Sequence, residues 1–265
     1  MHPTIYIRLT ISSLFIAGMA AMAAMSAIPA AAWTPATQVT IAREAARLSP
    51  PDLYRQIDKH RRAYAEGVNA PFADTDASRH SQNPDGSGHL NRAALDAADA
   101  AILAIRGHQP FEEVVRRLGV VSHFVADANN PLASSAADPD EGRYFGDYFR
   151  YIETAEPRFP LVFYGLPTGS DGRGVASLLD AALRRGRQLY PMIGLEYRRI
   201  HFGSGVGVFD DRSTAFGVGS VAFSHAVTDV TLVLRYIWLA AGGVDDRAPL
   251  PAGGSRLTVL PRTAP

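Results

Sequence analysis

The chain has no cysteine among its 265 residues, which removes disulfides, thiolate nucleophiles and cysteine-type zinc sites together. Any metal must be held by His, Asp, Glu or the backbone. Net charge is also missing: 26 basic residues balance 26 acidic ones. No global field draws the protein to nucleic acid or anionic lipid, and a partner of either kind must be recognised locally. There is no GxSxG elbow of the kind that carries a serine nucleophile. The glycine-rich stretches GSGVGVF and GVGSV lack the Lys-Ser/Thr of a phosphate loop. Internal repeats are absent and alternating strand patterns are scarce. The 47% hydrophobic and 20% charged content suits one globular domain with a sizeable core.

Residues 1–32 have the form of an export signal. Arg8 sits in a short basic start, LTISSLFIAGMAAMAAMSA is the apolar run, and Ala30 and Ala32 offer small residues for cleavage before Trp33. The expected protein is exported, periplasmic or secreted, and begins at Trp33. The same run is nearly long enough to span a bilayer as an uncleaved anchor, but Ala, Ser, Gly and Met dilute it and no stop-transfer charge cluster follows. Beyond it, TQVTIAREAARL has apolar positions at helical spacing, and residues 50–67 read as a helix that begins with Pro and ends at Gly67. A long polar connection carries Asp74, Asp76 and His80. HLNRAALDAADAAILAIRG and PFEEVVRRLGVVSHFVADA are two helices broken at Gly107 to Pro110. YFGDYFRYIETAE, VASLLDAALRRGRQLYPMIGLEYRRI and VAFSHAVTDVTLVLRYIWLAAGG complete the pattern. The expected fold is all-α: one multi-helix domain over residues 33–243, with a flexible tail over 244–265.

The stretch GVVSHFVADANNPLASS places His123 and Asp127 four residues apart. In a helix that spacing puts both on one face, where they can reach one ion or simply hydrogen-bond. His225 and Asp229 form a second HxxxD in SHAVTDVTLVL, which reads as helix packing or a local hydrogen bond. His60, His108 and His201 have no organised neighbours in sequence.

Trp33 with TPATQ, His80 opening HSQNPDG, and LGVVSHFVADANNPL occur in an order that resembles the zinc-dependent phospholipase C family, whose relatives include fungal single-strand nucleases. The resemblance covers roughly Trp33 to Glu153. It implies a secreted helical protein that hydrolyses phosphodiesters with a cluster of three zinc ions, the amine and carbonyl of Trp33 among the ligands. It therefore implies metal ligands at Trp33, His80, His123 and Asp127, Asp74 as a candidate base, and a phospholipid or other phosphodiester substrate met at a membrane surface. This sequence departs from the pattern at several ligand positions. Gln38, Phe72, Ala133, Phe145 and Phe149 stand where the family has ligands. Asp74, two residues after Phe72, is a candidate replacement, and Asp127 a candidate bridge to a second ion. The expectation is a reduced site with one zinc ion or none. Two functions stay open: phosphoester hydrolysis through that site, or a non-catalytic descendant with a binding or envelope-structural role.

Overall fold

The computed structural model describes residues 33–165, 174–246 and 258–262; the expected export segment lies outside them. Helix α1 (Pro35–Leu48) starts where Thr34 Oγ1 accepts the Thr37 N–H at 3.3 Å and Pro35 occupies the first turn, where a missing N–H costs nothing. The stretch expected as one helix ending at Gly67 is two, α2 (Pro51–Lys59) and α3 (Arg61–Asn69), broken at His60. Two 3-10 turns, Ala70–Ala73 and Ala77–His80, fill the first part of the polar connection. Then come α4 (Leu90–Arg106) and α5 (Phe111–Ala128), divided at Gly107 to Pro110 as expected. After the short turn α6 (Pro131–Ser134) follow α7 (Glu141–Ala155), α8 (Val175–Arg199) and α9 (Thr214–Ala240). Ser213 caps the last of these by accepting the Phe216 N–H at 3.2 Å.

The described residues form an all-α domain with one small exception. Strand β1 (Leu161–Phe163) pairs antiparallel with β2 (Thr258–Leu260). This corrects the expectation of a flexible tail throughout residues 244–265: residues 258–260 within it pair with the body. Helix α9 is long and apolar enough to cross a membrane, yet most of it is buried inside the fold against α1, α5 and α8. Helix α5 packs against α1, α3, α4, α8 and α9, and every residue from 121 to 135 is buried. A helix end enclosed on all sides is where polar side chains must find partners inside the protein.

Gly67 has a different role from a helix stop. A Cβ there would lie 1.9 Å from the Arg116 carbonyl oxygen, and one on Gly119 would lie 2.3 Å from Tyr64 O and 2.7 Å from Val68 N. The two glycines let the backbones of α3 and α5 touch. That contact delivers the Val68 carbonyl to His123. Gly119→Ala should therefore destabilise the protein by about 1–3 kcal/mol in denaturant unfolding, because backbone on both sides has no room to yield. Gly142→Ala, where a Cβ meets nothing within 4 Å, should leave stability unchanged or slightly raised.

Candidate metal centre

His123 and Asp127 come from consecutive turns of α5, and His80 is the last residue of the second 3-10 turn. The three side chains converge as expected. His80 Nδ1 lies 2.7 Å from Asp127 Oδ2, His123 Nε2 lies 3.1 Å from the same oxygen, and the two nitrogens are 3.2 Å apart. His123 and Asp127 are 0% exposed and His80 is 2%. Among the described residues this is the one group of His, Asp and Glu whose donor atoms cluster tightly enough to hold a metal ion.

The outward ring atoms fix what the inward ones can do. His123 Nδ1 lies 2.8 Å from the Val68 carbonyl oxygen, which can only accept, so Nδ1 carries the proton and Nε2 presents a lone pair to the cluster. The Pro71 carbonyl lies near enough to favour the charged form of His80. His80 Nδ1 faces the same cluster, and in the neutral ring with its proton on Nε2 it also presents a lone pair there. Two lone pairs and a carboxylate oxygen then face one point. A proton on His80 would satisfy one contact and leave His123 Nε2 against Asp127 Oδ2. A divalent cation satisfies all three, and a tetrahedral zinc site has donor-to-donor edges of about 3.3 Å. A backbone carbonyl holding the far nitrogen, as Val68 does for His123, is a usual support of a metal-binding imidazole. The electrostatics point the same way. Burial pulls the pKa of His80 down, but Asp127, Asp74 and the Pro71 carbonyl outweigh it and hold it above the ordinary value. Burial pushes Asp127 up, yet its contacts with His123 and His80 hold its carboxyl below the ordinary range. The cage favours positive charge inside it.

The positions where the resemblance expects further ligands have specific roles. Gln38 Nε2 donates to Asp127 Oδ1 at 2.6 Å, so the carboxylate's second oxygen is taken by a neutral amide and does not bridge to a second ion. The amide oxygen, Gln38 Oε1, is buried with no hydrogen-bond partner; an amide turned the other way would set two oxygens 2.6 Å apart. Phe72 stands edge-on to His123, ring centroids 4.8 Å apart, and Phe124 packs against His80 at 5.6 Å. Asp74, the candidate base, is ion-paired with Arg79, whose guanidinium lies over the Phe124 ring. It contributes charge near His80 but no atom to the donor cluster. Trp33 is buried, and its indole Nε1 donates to the Ala126 carbonyl at 2.8 Å, next to Asp127. Ala133 is buried, its carbonyl accepting the Gln82 N–H, while Phe145 and Phe149 form an edge-to-face pair with centroids 4.7 Å apart. What the resemblance treats as a second ligand set is packing in this protein.

The second HxxxD does not bind itself together. His225 stacks flat on Tyr164, centroids 3.8 Å apart, and Asp229 pairs with Arg185, which also donates to Asn129 Oδ1 at 3.1 Å. It is a packing element, as expected. The Val68 carbonyl and the aromatic walls carry no sequence signal that points to the site; only the position of Phe72 stood out. No protein-family model and no curated protein matches the chain.

The packing pair has opposite pKa shifts. Burial drives Asp229 up to about 6 against the pull of Arg185, and burial, with Arg185, drives His225 down to about 4. Between pH 4 and 6 the folded state keeps a proton on Asp229 that the unfolded state has released, so this group weakens stability as pH rises. Over pH 4 to 6.5 the unfolded state holds a proton on His225 that the folded state lacks, so this group strengthens stability as pH rises. The two nearly cancel. Asp229→Asn should therefore make stability climb from pH 4 to 6.5 relative to wild type, and His225→Gln should make it fall, measured as unfolding midpoints across that range.

Proposed function

We propose that this chain is a non-catalytic descendant of the zinc-dependent phospholipase C type, in which His80, His123 and Asp127 hold one structural zinc ion. The observation that carries the reading is the enclosure of the donor cluster. All three residues are at most 2% exposed, so the fourth position that three protein donors leave to a water is closed to substrate. The rings of Phe72 and Phe124 stand against the two imidazoles, and Gln38 occupies the second carboxylate oxygen. Cysteine is absent and the donors are two imidazoles and one carboxylate, a set that zinc accepts. The ion would tie the segment after α3 to the end of α5. The proposal includes export, with a mature chain beginning at Trp33, which N-terminal sequencing of secreted protein reads directly.

Elemental analysis of purified protein should give about one zinc per chain. Removing it with a chelator should lower the thermal midpoint, because binding free energy at a structural site is folding free energy. His123→Ala should hold no zinc and show the lower midpoint without chelator. Assays on phosphatidylcholine vesicles and single-stranded DNA should give no turnover above the His123→Ala background. Robust turnover that His123→Ala abolishes would instead support phosphoester hydrolysis through the reduced site. Phe72→Asp places a carboxylate beside His123 and should make zinc harder to strip with a competing chelator.

A further inference from the structure

Strand β1 is satisfied on its inner edge without any second strand. Val162 N–H donates to Ser224 Oγ at 3.2 Å and Tyr164 N–H to Thr228 Oγ1 at 3.3 Å, two hydroxyls one turn apart on α9. Alternation along a strand then turns the backbone groups of Leu161 and Phe163 outward. That outer edge is covered by the chain's own C-terminal segment, with Leu161 opposite Leu260, Val162 opposite Val259 and Phe163 opposite Thr258. Two residues beyond the strand, Arg262 reaches the Glu156 carboxylate and the Glu156 and Phe159 carbonyls, with its guanidinium 4.9 Å from the centre of the Phe223 ring. Glu156 is itself buried. The strand edge, the acid, the two carbonyls and the aromatic face form a groove that reads an extended segment by backbone pairing and an arginine two residues later. These are the elements of strand-addition peptide recognition.

We infer that the groove formed by β1, Glu156 and Phe223 is a peptide-docking site, held closed by residues 258–262, for an extended peptide with an aliphatic residue two positions before an arginine. The resident tail shows the chemistry of the occupant. Its strand pairs over only three residues, and Val259 is 69% exposed, so the tail buries little side-chain surface of its own. It belongs to the same chain, so it competes with a free peptide intramolecularly, and effective concentrations in such cases are about millimolar. A free peptide of the same chemistry with an affinity of about 100 µM would then bind the closed chain about tenfold more weakly than a chain without its tail. Removing the tail leaves the outward backbone groups of β1 and the buried Glu156 carboxylate in need of a partner.

The test uses a fluorescent peptide, TVLPRTAP, copied from residues 258–265, and the chain ended after Asp246. The shortened chain should bind the peptide by anisotropy, the full chain should bind it at least about tenfold more weakly, and a peptide with Arg262→Ala should bind the shortened chain far less. If the shortened chain does not fold by circular dichroism, full-length Arg262→Ala takes its place and should bind the wild-type peptide more tightly than the intact chain does. A folded open form that ignores the peptide, or that binds the Arg262→Ala peptide equally well, would overturn the inference.

Discussion

Two imidazole nitrogens and a carboxylate oxygen within 3.2 Å of one another inside a protein need a proton or a cation between them, and the residues around them bear on that need. His123 and Asp127 are on one face of α5 at its enclosed end, and His80 arrives from a turn that is otherwise surface structure. Burying an unpaired carboxylate costs several kcal/mol. Here Asp127 is held below the ordinary carboxylate range in spite of burial. The cluster also depends on the backbone. Gly67 and Gly119 allow α3 and α5 to meet without side chains between them, which places the Val68 carbonyl on His123 Nδ1 and sets the tautomer.

The same positions explain why the centre is small and closed. Gln38 commits its amide N–H to Asp127 and leaves its own oxygen unpartnered, a cost of about 1–3 kcal/mol. Phe72 presents an aromatic edge to His123, and Arg79, paired with Asp74, lies over Phe124. Further along, Phe145 and Phe149 make a ring contact. Three donors form the cluster, and apolar packing surrounds them. Packed aromatic rings recover hydrophobic and dispersion energy that an open polar cleft would forgo.

Helix periodicity made most of the fold legible. Gly107 and Pro110 located the break between α4 and α5, and the 3.6-residue spacing located α1, α7, α8 and α9. The break at His60 was not legible, because no glycine or proline marks it and the neighbours of α2 and α3 decide it. β1 and β2 were missed because each is three residues long and lies 95 or more residues from its partner. His123 and Asp127 announced themselves by spacing, whereas His80 was reachable only through the order of motifs. The carbonyl of Val68 leaves no sequence signal, since every residue carries the same group. Gly67 was readable as a helix stop and turned out to be a point of close contact, a distinction that only the facing helix supplies.

The central claim is that a cation occupies the point between His80, His123 and Asp127. An anomalous difference map at the zinc edge, from crystals of protein purified without chelator, tests it most directly. The account predicts a single strong peak within about 2.0–2.2 Å of His80 Nδ1, His123 Nε2 and an Asp127 oxygen, with Gln38 still on the other oxygen. No peak there in protein shown to contain zinc, or a cluster of peaks extending toward Ala133 and Phe149, would contradict it.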